Sequence, residues 1–511
     1  MSNNIQTKQK FKLFNKFLNV IENVGNKLPH PVTIFILFAL AVIIISEIAF
    51  RAGLYVDFYD AKAGADQTVS AVSLLSADGL RFMINSATVN FTSFAPLGTV
   101  LVAMLGVGVA EGTGLINAAL KKLVLSTPKR LITAVVVFAG VMSNIASDAG
   151  YVVLVPLGAM VFLSFKRHPL AGLAAAFAGV SGGFSANLLL GTLDPLLAGI
   201  TNEALTASKM DLSILPTSNY YFMVASTFLI TILGTWVTEK IVEPRLGEYK
   251  GIDTNESMEV TKSEVKGLIA AGLSILVFGA IMLYLTVPAN GILRVDGSLD
   301  AFTHDGLVPA IMLFFLIPGL TFGMVSGTVK NDKDVVKFMS KSMASMGGYL
   351  VLAFFAAQFI QYFAYTNLGT ILAVSGANFL EAIGFVGFPL IIAFIVVAGF
   401  INLFIGSASA KWGIMAPVFV PMLYKLNFSP EFTQLAYRIG DSTTNIISPL
   451  MTYFAVIVVF AQKYDEDTGI GTLISTMVPY SIVFLLGWTV LLAVWYMLGI
   501  PIGPEAFIRV N

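Results

Sequence analysis

Four ionisable side chains stand inside largely apolar sequence: Asp148 in SNIASDAG (143–150), Asp194 in SGGFSANLLLGTLDP (181–195), and Arg438 with Asp441 in RIGDSTTNIISP (438–449). A charge at membrane depth costs several kcal/mol without a partner, so such residues mark ion or substrate paths by default. Arg438 and Asp441 lie three apart and share a helical face. They either form a structural ion pair or work separately, Arg438 as the counter-charge for a carboxylate and Asp441 as a cation ligand or proton carrier. Asp148 and Asp194 are further candidates for proton or sodium coupling, with a helix cap as the alternative for Asp194. Asn144, Asn187 and Asn445 add oxygens that, with freed carbonyls, can replace the water shell of a small cation. Sodium near these three is the metal expected; the alternative is that they only cap broken helices. In GSASAKWG (406–413), Lys411 either neutralises an acid or meets a ligand, and Trp412 either contacts a ligand or packs. Glu111 reads as structural, while Gln358 and Gln361 either line a path or bridge helices.

The elements that must position these groups are unusual. SNIASDAG and GSASAKWG are polar tips between short apolar arms, and each is followed by a hydrophobic span interrupted by glycine, polar residues and proline. Glycine permits unusual backbone angles, and proline removes a donor. Irregular backbone at membrane depth is tolerated only where it is buried in protein or lines a water-filled cavity. Half-helix N-termini there carry partial positive charge suited to an anion. A matched pair of such devices predicts an alternating-access carrier with its site at a repeat interface.

Composition agrees with a membrane location. Of 511 residues, 56% are hydrophobic and only 12% charged, against roughly 25% charged in an average soluble chain. The net charge of zero says nothing about partners, because the charges are confined to loops, and nucleic-acid binding has no support. The absence of cysteine excludes disulfides, thiolate catalysis and cysteine-bound metal. No G-x-x-x-x-G-K-[ST] loop occurs, so this chain does not hydrolyse ATP. GVSG (179–182) fits an intramembrane serine-protease pattern, but His30, His168 and His304 all fall at span ends, away from any base position. H-E-x-x-H and four-fold channel filters are absent as well. No enzyme activity or organic cofactor is expected.

Basic clusters at 121–130, 166–168, 239–250 and 330–341 set the topology, because basic short loops stay cytoplasmic. Lys8, Lys10, Lys12 and Lys16 precede a first span too long for a signal peptide, which predicts an uncleaved cytoplasmic start. The expected fold is an all-α polytopic membrane protein with nine transmembrane helices near 31–52, 90–119, 169–200, 217–238, 267–288, 306–326, 342–364, 431–461 and 472–498. Two re-entrant hairpins, near 131–165 and 388–425, complete it, and the C-terminus falls outside. The N-terminal half is 1–242, a cytoplasmic linker 243–266, and the C-terminal half 267–511. The halves match as an inverted repeat, with Asn187 over Asn445 in the interrupted spans and Pro156 over Pro417 in the hairpins, which sets Asp148 on Ser409 and Tyr151 on Trp412.

Five strings carry a more specific likeness: NVGNKLPHPVTIF (23–35), LVAMLGVGVAEGTGLI (101–116), SNIASDAG, INLFIGSASAKWGIMAPVF (401–419) and YRIGDSTTNIISPL (437–450). Over nearly the whole chain the sequence resembles the aminobenzoyl-glutamate (AbgT-type) transporter family, within the wider ion-transporter superfamily. The resemblance implies a homodimer in a bacterial cytoplasmic membrane, with a small anionic aromatic substrate such as p-aminobenzoyl-glutamate, or sulfonamide antimetabolites exported against protons. It places functional positions on Asn402, Ser409, Trp412, Pro430, Arg438, Asp441 and Asp194; Asn402 and Pro430 come from it alone. For such a substrate, Arg438 would grip a carboxylate and Trp412 would stack on the ring.

Overall fold

A computed structural model describes residues 29, 31–60, 65–146, 150–249, 260–299, 301–449, 451 and 453–510. Asp148, the N-terminal lysines and positions 250–259 of the linker lie outside the described residues. Among the described residues six unbroken helices are long and apolar enough to cross a membrane: Val32–Arg51, Tyr220–Leu246, Lys262–Thr286, Leu307–Ser326, Gly347–Tyr365 and Ile470–Leu498. A seventh crossing is made if Leu97–Gly112 and Leu115–Leu125 count as one, bent by 57°. The bend is local: Gly114 takes φ +90°, which L side chains rarely adopt.

The two other expected spans are broken. The first runs as Pro169–Phe177, a wider turn over Ala178–Gly182, irregular chain, and then Leu193–Ala207. The second runs as Pro430–Asn445 and Phe454–Gln462. Gly182 and Gly183 end the first piece of one, and Pro449 removes a backbone donor at the break in the other. Each polar tip is flanked by two helices, Ile132–Ser143 with Val155–Ser164 and Phe388–Asn402 with Ala408–Lys425. Ile132–Ser143 has 12 residues, about 18 Å at 1.5 Å per residue, well short of a core of about 30 Å.

Glycine lets each broken helix approach an arm of its helix pair. A Cβ on Gly179 would stand 2.3 Å from Val137 O, and one on Gly440 would stand 2.4 Å from Ile395 O. One buried apolar cluster joins both helix pairs and both broken helices, including Val137, Phe177, Ile395, Trp412 and Tyr437. A second cluster packs Phe35 and Val42 of the first long helix on Ala353, Ala357 and Ile360 of Gly347–Tyr365. Outside these cores the surface is greasy. Leu273, Leu276, Val277, Leu283 and Tyr284 of Lys262–Thr286 are all exposed, which suits hydrocarbon.

Several of the described elements were not expected, the helix Ala77–Asn85 among them. Tyr55–Asp60 and Ala65–Ser70 pair as an antiparallel ribbon, Val56 opposite Val69, so the fold is not wholly α. Leu368–Ala382 is helical where no element was placed. Asp332–Ser345 is a separate helix, started by a capping box between Asn331 and Asp334.

Candidate functional site

The helix Pro430–Asn445 carries most of the charge. Ser429 caps it, its side chain accepting from Phe432 N, and Pro430 takes the first helical position, where a missing N–H costs nothing. Pro430 thus starts the helix. Gln434, Arg438, Asp441 and Asn445 then recur at helical spacing as one polar stripe, and all four are buried.

Arg438 and Asp441 do not pair with each other. Arg438 Nη2 lies 2.8 Å from Asp194 Oδ1, their side chains 3% and 4% exposed. Asp194 also does what a cap does, accepting from Gly191 N through Oδ2 at 2.8 Å. The ion pair falls outside hydrogen-bond geometry: Asp194 Oδ1 has no hydrogen-bond partner, and neither does Arg438 Nε. Asp441 is taken instead by Lys411, whose Nζ contacts Asp441 Oδ1 and donates to Asn402 Oδ1. Two cations and two anions are therefore buried together in crossed pairs. In this conformation Lys411 neutralises an acid.

Asn402 knots this corner. Its Nδ2 donates to Asp441 O at 2.7 Å, Asn445 Oδ1 at 2.7 Å and Thr444 Oγ1 at 2.9 Å. Asn144 makes the corresponding bond in the first half, Nδ2 to Gly183 O at 3.3 Å, and both bonds span 39 residues. Asn187 Nδ2 and Asn144 Nδ2 both donate to Val141 O, at 3.3 and 3.1 Å. Asn187 Oδ1 also caps Leu189 N at 3.1 Å. Around this first turn Asn144 Oδ1, Ser181 Oγ and Ser185 Oγ are buried with no hydrogen-bond partner. Neutral oxygens of this kind suit a hard monovalent cation.

Trp412 is fully buried and stacks on Tyr437, ring centroids 4.5 Å apart at 26°. Its Nε1 donates to Thr201 Oγ1 at 2.9 Å, which stands 2.7 Å from Gln434 Oε1; Gln434 Nε2 donates to Asn219 Oδ1 at 3.0 Å. In this conformation Trp412 packs. Sequence reasoning passed over Thr201, Gln434, Asn219 and Tyr437. The polar stripe through Gln434 was readable from spacing, and Thr201 lies on the Asp194 face of its helix, two turns on; Asn219 gave no signal.

Ser409 lies at the second tip, half-buried, its Oγ 3.3 Å from Ser407 Oγ. Gln358 and Gln361 bridge helices: Asn90 Nδ2 donates to Gln358 Oε1 at 2.9 Å, and Gln361 Nε2 donates to Glu203 Oε1 at 2.7 Å. A cavity of about 520 Å³ opens elsewhere, lined by Phe82, Lys209, Gln361 and Tyr365 among others, and includes none of the buried charges. Among the described residues no group of three or more His, Cys, Asp or Glu could hold a metal ion.

Broken helices around crossed, buried ion pairs define a membrane transporter. Residues 16–510 match the AbgT transporter family. The p-aminobenzoyl-glutamate transport protein of Escherichia coli (strain K12) is 37% identical over 505 residues, 97% of each chain. The YdaH transporter of Alcanivorax borkumensis superposes with a TM-score of 0.88 at 46% identity, covering 93% of this chain and all of that one. MtrF of Neisseria gonorrhoeae, described with a class of antimetabolite efflux pumps, does so with a TM-score of 0.90 at 49% identity, covering 96% and 100%. The chain belongs to the AbgT family of membrane transporters.

Proposed function

We propose that this transporter is a secondary active carrier of p-aminobenzoyl-glutamate or a similar folate catabolite, driven by a proton or sodium gradient. The observation that carries the reading is the Arg438–Asp194 pair: a buried guanidinium with Nε unbonded, held by a single carboxylate oxygen. Such a group is ready to exchange one carboxylate for another, and an anionic substrate supplies it. The relative in E. coli is named for this substrate.

In this reading the two helix pairs are re-entrant hairpins, nine spans surround them, and the two halves are inverted repeats. The shared 39-residue bond from Asn144 and from Asn402 supports the repeat. Trp412 leaves Tyr437 to stack on the substrate ring when the occluded site opens, with Asn402, Ser409 and Pro430 shaping the same hairpin and helix. Asn144, Asp148, Asn187, Asp194, Asp441 and Asn445 handle the coupling ion. Sodium near Asn144, Asn187 and Asn445 is the candidate ion, supported on the Asn144 and Asn187 side by the unmatched oxygens of Asn144, Ser181 and Ser185. The protein works as a homodimer in a bacterial inner membrane, N-terminus inside and C-terminus outside, its hairpin-bearing part moving against a dimerising scaffold.

A second reading, proton-coupled export of sulfonamide-type antimetabolites, is favoured by the 49% identity to MtrF. Proteoliposomes separate the two. Labelled aminobenzoyl-glutamate should accumulate under an imposed proton or sodium gradient. Accumulation of a labelled sulfonamide alone would transfer the site to the second reading.

A further inference from the structure

The two polar turns differ in one respect that bears on charge. Asn144 and Asn402 each end the first arm of a helix pair and donate through Nδ2 to a carbonyl 39 residues on. On the other side of the amide they diverge. Asn144 Oδ1 is buried with no hydrogen-bond partner, whereas Asn402 Oδ1 receives Lys411 Nζ.

The same ammonium contacts Asp441 Oδ1, and the Lys411 side chain is 0% exposed. A carboxylate oxygen and an amide carbonyl converging on one point form a donor set for a hard cation. Other groups close the corner: Tyr437 Oη lies 3.5 Å from Asp441 Oδ1, and Asn445 Nδ2 lies 3.4 Å from Asp441 Oδ2. The nearby Arg438 is committed to Asp194. In the register that sets Tyr151 on Trp412, Gly150 holds the place of Lys411, the second tip being three residues longer than the first between its Asn and that aromatic. A lysine there would force the first turn to shift, because a Cβ on Gly150 would stand 2.0 Å from Ser143 Oγ and 2.9 Å from its Cβ.

We propose that Lys411 Nζ is the resident cation of the second turn, a tethered ammonium occupying a cation site built from Asn402 Oδ1 and Asp441 Oδ1. The second turn then takes a free coupling ion only when Lys411 withdraws, whereas the first turn stands open at the unmatched Asn144 Oδ1. The functional meaning rests on the carrier reading above, but the occupancy of the site does not. Shortening Lys411 strands Asp441 as an uncompensated buried carboxylate and opens a vacancy of about the volume of a short alkylammonium.

The test is thermal unfolding of purified wild type, Lys411→Ala and Lys411→Met in methylammonium chloride against choline chloride at equal ionic strength. Lys411→Ala should unfold earlier than wild type in choline. Methylammonium should raise its midpoint saturably, because a ligand that binds only the folded state stabilises it by mass action. Wild type, already occupied, and Lys411→Met, filled by an uncharged chain, should show no such shift. Lys411→Ser keeps the space and adds an oxygen, and repeats the measurement if the alanine variant does not accumulate. Equal midpoints for the small variant in both salts would overturn the proposal, as would the same shift in wild type. The readout uses no substrate, so failure to transport aminobenzoyl-glutamate leaves it standing, and its failure leaves the substrate reading standing.

Discussion

Arg438 reaches past Asp441, three residues along its own helix, to meet Asp194 at 2.8 Å on the broken helix of the other half. Asp441 is left to Lys411. The two pairs tie both helix breaks and the second polar turn into one buried electrostatic unit, and they set what each residue can be asked to do.

Removing one partner of a buried pair leaves the other charge uncompensated, at about 3–5 kcal/mol, whereas removing both is far milder. Asp194→Asn should therefore lower the unfolding temperature more than Asp194→Asn combined with Arg438→Gln. A thermal-shift series on the purified variants checks the order. Arg438→Lys keeps the charge but loses the planar fork, so aminobenzoyl-glutamate binding should weaken about tenfold or more, one charged hydrogen bond being worth roughly 1.5–3 kcal/mol.

Trp412 separates ring from donor. Trp412→Phe keeps a ring against Tyr437 and loses the bond to Thr201, at a cost of about 0.5–1.5 kcal/mol. Trp412→Ala empties a fully buried site and should cost about 3–5 kcal/mol. Measured stability should fall in that order, with transport kept in part by phenylalanine and lost in alanine.

The sequence already pointed to this site through Asp194, Arg438, Asp441 and Trp412, since charge inside apolar sequence is visible in one dimension. What it left open was pairing. Helical spacing says that Arg438 and Asp441 share a face, but not that this face meets Asp194 on one side and Lys411 on the other. The breaks at Gly182–Gly183 and Pro449 were legible from residue type. The ribbon pairing Val56 with Val69 was not, because six-residue strands are easily lost between long apolar helices. Leu368–Ala382 was missed for a similar reason: at 15 residues it is too short to read as a span.

Close backbone approach gives a third prediction. Gly179→Ala and Gly440→Ala force a Cβ to 2.3 Å and 2.4 Å from carbonyl oxygens of the facing arms, so each should destabilise by about 1–3 kcal/mol. Gly272→Ala, inside Lys262–Thr286 and with nothing within 4 Å of its Cβ, should be neutral or stabilising by up to about 1 kcal/mol. Thermal unfolding of the three variants distinguishes packing glycines from an idle one.

His168 supplies a pH effect outside the membrane spans. Its Nδ1 accepts from Leu170 N at 3.2 Å, capping Pro169–Phe177. Burial holds its pKa below the usual 6.5, against the pull of Glu243 and Asp465. A depressed histidine pKa contributes stability that is present above pH 6.5 and lost as pH falls through the folded-state value. The cap is lost with it, since the protonated ring donates at both nitrogens. Unfolding temperature should thus drop on acidification in wild type and drop less in His168→Asn, whose amide caps without titrating.

Counterflow tests the central claim most directly, that Arg438 serves as the exchangeable counter-charge of a carrier. Proteoliposomes preloaded with unlabelled aminobenzoyl-glutamate should transiently concentrate external label with wild-type protein. Those bearing Arg438→Lys should do so at about a tenth of that rate or less, following the tenfold loss expected of the lysine. Equal rates in the two, or label that merely equilibrates as through a pore, would contradict the account.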